Sequence, residues 1–299
     1  MITGGSNYVN INGSYDNPVI GTYHRFPEVV EANLNAMFEH GQRKITLVCW
    51  YAPLTFPAAH EHLWGHIVDS FGGVMFEQHQ QNLIDLLALI RAIGFNQINF
   101  RFGATATAYV TQWEQWNPPQ FNENWSFVNS VRNLILANTD LKVVFDLQVE
   151  SANSELATNP LRELYARRLW RLYTTEHGTE DSCGYSVIHG VDGLQAMWRA
   201  FDIGHLPRPA CYCFDVYDRE YLVLTTASDA LTAAGEIEKP VYIQETNYND
   251  AQSYADIKLA LSEKPLNFQC IFQWPKVRDQ PDVFPDVFPK RFDNYLVEE

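Results

Sequence analysis

The 299-residue chain is short of positive charge: 21 Lys and Arg stand against 36 Asp and Glu, a formal net charge of −15. A surface of that sign repels phosphate backbones and anionic lipid, which argues against nucleic acid and membrane as partners and favours a neutral substrate. No stretch approaches the apolar length of a bilayer span. The opening MITGGSNYVNINGSYDN is polar and glycine-rich without an apolar core, so no signal peptide is expected in it. That leaves a cytoplasmic protein or one secreted with its leader removed. Cysteine is sparse: Cys49, Cys183, Cys211, Cys213 and Cys270 include no CxxC pair, and they read as small buried hydrophobes rather than a zinc or redox site. No glycine-rich phosphate fingerprint opens the first helix, which weakens a nucleotide-binding doubly wound sheet.

Apolar residues, by contrast, are plentiful at 46%, and the chain carries 8 Trp, 15 Tyr and 18 Phe. A full core and an aromatic-lined sugar cleft would both draw on these. From about residue 19 onward, short β-branched runs alternate with segments of helical period. The strand candidates are VIGTYH (19–24), KITLVCWY (44–51), QINFRFG (97–103), LKVVFDLQVE (141–150), YSVIHG (185–190), ACYCFDVYD (210–218), PVYIQE (240–245) and FQCIFQWP (268–275). Between them lie patterns such as EQHQQNLIDLLALIRAIGF, where Leu83, Leu86, Leu87, Ile90 and Ile93 make one apolar face and Gly94 ends the helix. Parallel strands need crossovers, and βα units repeated over this length predict an α/β fold, a (β/α)8 TIM barrel. Its βα loops after strands 2 and 3 are long. One domain covers 1–299, with 1–18 as an N-terminal segment and 276–299 as a C-terminal wrap.

In such a barrel the chemistry gathers where strands end at their C-terminal side. Polar groups crowd those ends here: Trp50, Arg101, Gln148 and Glu150, His189, Asp215 and Tyr217, Glu245, and Trp274. The opposite ends carry no comparable cluster. Strict alternation puts Asp146, Gln148 and Glu150 on one face of the fourth strand, and Glu245 on the face of Val241 and Ile243, read as barrel interior. Strands four and seven lie nearly opposite in the ring. Glu150 and Glu245 then face each other over the mouth, the arrangement that cleaves a glycosidic bond with one acid and one nucleophile. After strand three, TQWEQWNPPQFNENW supplies Trp113 and Trp116 among amides and carboxylates, suited to stacking on sugar faces and binding hydroxyls. The same aromatics also suit a lid packed on the barrel.

AIGFNQINFRFG, LKVVFDLQ, FDVYD, VYIQETN and IFQWP together resemble the cellulase-like, clan A retaining glycoside hydrolases. The resemblance implies a (β/α)8 barrel that hydrolyses β-linked oligo- or polysaccharide by double displacement, needing no cofactor and no metal. It implies Glu245 as nucleophile, Glu150 as acid/base, Tyr217 and Arg101 as partners that orient the nucleophile, and Trp274 as a sugar platform. Trp50, Gln148, His189, Asp215, Trp113 and Trp116 complete the expected substrate-binding set. The chain departs from the pattern where Val149 precedes Glu150 in place of asparagine, and where Arg101 falls on the third strand instead of the second. Glu155 is an alternative acid.

Two other readings remain open. His60, His62 and His66 in AHEHLWGH hold an HxH pair of the kind that binds zinc in metal-dependent barrel hydrolases. The missing asparagine would also suit a barrel that binds glycans without cleaving them.

Overall fold

The structure, a computed structural model, describes residues 3–14, 16–53, 68–278 and 288–296. Its wall is a ring of parallel strands. In chain order the strands are β1 (Thr3–Asn7), β2 (Lys44–Pro53), β3 (Val68–Phe71), β4 (Val74–Met75), β5 (Gln97–Ala104), β6 (Lys142–Asp146), β7 (Ser182–Gly184), β8 (Tyr212–Asp215), β9 (Val241–Glu245) and β10 (Phe268–Gln273). β3 and β4 form a hairpin attached to the end of β2, and the other eight pair in the order β7-β6-β5-β2-β1-β10-β9-β8. Val187 closes the ring by bridging Phe214 on one side and Ala152 on the other. The helices are α1 (Val19–Thr22), α2 (Pro27–Glu39), α3 (Glu77–Ile93), α4 (Pro118–Asn138), α5 (Pro160–His177), α6 (Val191–Ile203), α7 (Glu220–Ala233) and α8 (Ala251–Glu263). This is the (β/α)8 barrel expected from the alternation. No described helix is long and apolar enough to cross a membrane.

The helices form where the apolar period and the end signals agree. On α3, Leu83, Leu86, Leu87 and Ile90 are fully buried, and Gly94 at φ 110° takes the left-handed turn that ends it. On α5, the Asn159 side chain accepts hydrogen bonds from the backbone N–H groups of Leu161 and Arg162, capping the helix before Pro160. Strand side chains divide by parity. Ile45, Leu47, Ile98, Phe100, Phe102 and Phe145 pack outward under the helices. Val144, Cys183, Cys213, Tyr242, Cys270 and Phe272 cluster inside the ring. All five cysteines are buried and unpaired, as expected of small apolar side chains.

Two strand expectations need correction. VIGTYH is helical, forming α1 and a 3-10 turn, and the first strand is TGGSN, inside the segment read as an N-terminal extension. The strand was hidden because it lacks apolar and β-branched alternation. A Cβ on Gly4 would stand 1.8 Å from the Ile271 carbonyl oxygen of β10, and one on Gly5 would stand 1.6 Å from that of Lys44 on β2. Close approach of the neighbouring backbones therefore demands glycine where a sequence pattern expects valine. VIGT resists periodicity because all four of its residues are buried. The substitution of one first element for another leaves the count unchanged, so β6 is the fourth barrel strand and β9 the seventh. Strand five is shorter than YSVIHG and displaced: β7 ends at Gly184, and only Val187 within the expected run joins the sheet.

The stretch 288–296 packs against the barrel. Ser6 Oγ and Gln42 Nε2 donate to the Pro289 carbonyl at 2.9 Å each, and Tyr295 is buried with Ile243, Ile257 and Ile271.

Replacing Gly4 by Ala forces β1 away from β10. We expect a loss of about 1–3 kcal/mol, the usual range for overpacking, read as a lowered denaturant midpoint at unchanged slope.

Candidate active site

Arg101 stands at the centre of the barrel mouth, on the inward face of β5 that also carries Asn99 and Gln97. Its side chain is fully buried. Nε donates to Asp146 (3.1 Å), Nη2 to Asp215 (2.7 Å) and Ser186 Oγ (3.0 Å), and Nη1 to Glu245. One guanidinium thus holds carboxyl groups from the ends of β6, β8 and β9. Burying a charge costs several kcal/mol even after relaxation, and only such close partners offset it. They also raise the Arg101 pKa further, against the opposing effect of burial.

Glu245 reaches this position by a route that alternation does not foresee. Ile243 packs outward against Leu224, Ile257 and Ala260, so the face it shares with Val241 is not the interior. Between β8 and β9 the register slips: Phe214 pairs with Ile243, but Asp215 pairs with Glu245. Gln244 is the extra residue. It faces inward, accepting from Asn99 Nδ2 at 2.8 Å, and its carbonyl accepts from Asn7 Nδ2 at 2.8 Å. Such a bulge bends the strand and re-aims the next side chain. Glu245 then turns inward as well, buried, with one oxygen on Arg101 and the other accepting from the Tyr217 hydroxyl at 2.6 Å. Burial and the neighbouring Glu245 carboxylate push the Tyr217 phenol well above its usual range, so it stays a donor.

Glu150 lies beyond β6 in a turn, at a left-handed φ of 50°. Its backbone N–H donates to Ser186 Oγ at 2.8 Å, the same oxygen that Arg101 touches. Burial, followed by the charge of Glu245, raises the Glu150 carboxyl to about 7, with Arg101 opposing. One oxygen each of Glu150, Asp215 and Glu245 lie within 4.8 Å of one another. That spacing would also suit a cation, but the Arg101 guanidinium already supplies positive charge there. No other group of three such side chains converges among the described residues.

The remaining expected residues divide. Trp274 is buried in an apolar cluster at the mouth with Val9 and Val48, against which Trp50, Val149 and Tyr217 pack. Trp50 lies across Gly103, where a Cβ would meet its ring at 2.1 Å. Trp50, Gln148 and Glu150 line a cleft of about 470 Å³ with Tyr109, Gln112 and Asn153. On the other side, a cleft of about 600 Å³ is lined by His189, Asp215, Tyr217 and Arg219. His189 is exposed, at a φ of 67°, with Nδ1 3.3 Å from Ser154 Oγ. Glu155 also borders the first cleft, but its carboxylate is engaged by Arg162. Trp113 and Trp116 line neither cleft. Trp113 packs edge-on to Tyr165 and donates from Nε1 to the Thr107 carbonyl (2.8 Å), while Trp116 lies against Phe121 with Arg168 over its ring. The aromatic segment is half helix, since α4 begins at Pro118, and these two rings pack against α4 and α5. His60, His62 and His66 lie outside the described residues.

Sequence reasoning missed Ser186, Tyr109, Gln112, Asn153 and Lys276. Lys276 Nζ lies 4.3 Å from the centre of the Tyr217 ring. Ser186 sat in a recognised strand candidate, but nothing in the pattern marks a serine as the bridge between an arginine and a strand-four turn.

Arg101→Met strips three buried carboxyl groups of their shared cation. The expected destabilisation is about 3–5 kcal/mol, measured by denaturant unfolding, and it should shrink at low pH as the carboxyls protonate.

No family model and no curated protein matches the sequence. Solved structures do match in fold. A GH5_18 protein from Streptomyces cattleya, in complex with Manβ1-4GlcNAc, is 13% identical with a TM-score of 0.57, covering 99% of this chain and 79% of that one. The β-mannanase of Thermomonospora fusca, as its mannohexaose complex, is 11% identical with a TM-score of 0.55, over 92% of this chain and 77% of that one. An exo-β-1,4-mannosidase from an Opitutaceae bacterium is 13% identical with a TM-score of 0.58, over 97% of this chain and 55% of that one. At these identities the likeness is one of fold, and the barrel is the one that the clan A resemblance implies.

Proposed function

We propose that the chain is a retaining glycoside hydrolase acting on β-linked glycosides, with Glu245 as nucleophile and Glu150 as acid/base. The observation that carries this reading is the convergence of the two carboxyl groups, with oxygens within 4.8 Å, in opposite chemical settings. Retaining enzymes hold their pair about 5–5.5 Å apart, and inverting ones about 6.5–9.5 Å to admit a water. Nearest oxygens within 4.8 Å are compatible with the closer, retaining arrangement.

The settings match the roles. Glu245 accepts from Arg101 and Tyr217, donors that favour the ionised form and fix its aim. Glu150, raised to about 7 by burial and by Glu245, keeps its proton for the leaving oxygen. When Glu245 becomes an ester in the glycosyl-enzyme, its charge disappears. The Glu150 carboxyl then falls towards its ordinary value, and the same group can take a proton from the incoming water. Trp50, packed on the cluster that holds Trp274, supplies flat apolar surface in the cleft that Glu150 lines, and Gln148, Tyr109, Gln112 and Asn153 supply hydroxyl-binding groups there. Mannose occurs in the carbohydrates of two of the fold relatives, Manβ1-4GlcNAc and mannohexaose, which makes β-mannosides the first substrates to test.

Glu245→Gln should abolish turnover across a panel of β-mannosides and β-glucosides, with the folded circular dichroism spectrum retained. Substantial residual activity would sink the assignment. For Glu150→Gln the expected loss is about 10²–10⁴-fold in kcat/KM, least with an activated leaving group that needs no protonation. In the wild type, kcat/KM should decline as pH rises through about 7, where Glu150 loses its proton. A profile flat to pH 9 would remove Glu150 from the acid role.

A further inference from the structure

The mouth holds more carboxyl groups than the two the proposed reaction uses. Asp146, Asp215, Glu150 and Glu245 surround one bonded cation, Arg101. Asp215 and Glu245 are paired in register on adjacent strands and both turn inward. Like charges side by side on neighbouring strands repel, and two carboxylates sharing one site cannot readily both ionise.

Hydrogen-bond donors decide which members are anions. Asp146 accepts from Arg101 Nε on one oxygen, and on the other from the backbone N–H groups of Gln148 (3.2 Å) and Ser186 (3.0 Å). Glu245 has Arg101 on one oxygen and the Tyr217 hydroxyl on the other. Both are furnished as carboxylates. Asp215 is not. Its Oδ2 accepts from Arg101 Nη2 at 2.7 Å, but its Oδ1 is buried with no hydrogen-bond partner among the described residues. A bare, desolvated anionic oxygen is expensive, whereas a protonated one carries no charge to solvate.

We propose that Asp215 is the neutral member of a carboxyl pair with Glu245, carrying the proton that lets a single guanidinium keep Glu245 ionised and aimed. It is a positioning residue, acting through Arg101 and Glu245. This rests on the reading of Glu245 as nucleophile for its catalytic consequence, but not for its protonation state. The charged groups facing Asp215 are Arg101 from β5, Asp146 and Glu150 from β6 and its turn, and Glu245 from β9. Tyr217 lies two residues on, and His189, Asp192 and Arg219 share its cleft. Burial raises the Asp215 carboxyl well above the usual range; Arg101 opposes the rise, and Glu245, Glu150 and Asp146 add to it.

The test is carbon-13 NMR of the full chain with labelled Asp side-chain carboxyls, the Asp215 signal being assigned by its absence from Asp215→Asn. The Asp215 carboxyl should still be protonated at pH 7. In Glu245→Gln, where the like charge is gone and Arg101 is freed, its titration should move down by about 1–3 pH units. If Asp215→Asn fails to fold, that displacement identifies the signal instead. An Asp215 already ionised at pH 7 in the wild type overturns the proposal. Kinetics supply the second arm. Asp215→Ala should lose about a hundredfold in kcat/KM through misplacement of Glu245, and the neutral isostere Asp215→Asn should recover most of it below pH 7. A folded Asp215→Asn as poor as the alanine variant would show that the anion is needed, and the inference would fail. An inactive wild type with a protonated Asp215 would count against the hydrolase alone.

Discussion

Arg101 is the interaction on which the mouth of the barrel depends. A guanidinium with no exposed surface is tolerable only where each face of its fork meets an acceptor, and here the acceptors come from the ends of three other strands. The arginine is therefore a structural tie as much as a site residue. It fixes the ends of β5, β6, β8 and β9 relative to one another. It also holds Ser186, which in turn anchors the backbone of Glu150. That chain of contacts gives the Glu150 turn a rigid base despite its left-handed backbone. Positioning of this kind is what a site needs when reacting atoms must be held to fractions of an ångström.

A second constraint is the register slip on β9. Without it, Gln244 alone would face the interior and Glu245 would lie against α7 and α8 with Ile243. The extra residue lets two successive polar side chains point inward, one spent on Asn99 and the other on Arg101. A defect in strand pairing thus adds a carboxylate to the mouth without removing the amide that fills the layer beneath it. Gln244 finds partners for its side-chain oxygen and its carbonyl, while its Nε2 is buried with no partner among the described residues, so the slip carries a cost.

Much of this was legible in the sequence, and the failures have physical causes. The βα alternation, the helix end at Gly94, and the strand-end positions of Arg101, Glu245 and Tyr217 follow from periodicity and from where this fold keeps its polar groups. The parity argument placed Glu245 at the mouth, where it lies, but by a wrong step, because a bulge breaks the two-residue period and leaves no mark in composition. TGGSN was passed over since strand propensity measures packing of side chains, and at Gly4 and Gly5 it is the absence of a side chain that the neighbours require. Trp113 and Trp116 took the other course that the sequence left open: beside a helix start their rings pack on Tyr165 and Phe121 and line neither cleft.

The charge balance of the mouth links these features to pH. One arginine cannot neutralise four carboxyl groups, so their protons are distributed by the donors each one finds. Asp146, held by backbone N–H groups, and Glu245, held by Tyr217, are the best provided. Asp215 has Arg101 on one oxygen only, and in both Asp215 and Glu150 burial prevails, so both are pushed upward. The raised pKa of Glu150 begins with its own burial, and the charge of Glu245 adds to it while Arg101 opposes. A change at Arg101 or Tyr217, the donors that hold Glu245 ionised, is therefore also a change in the proton inventory of the site.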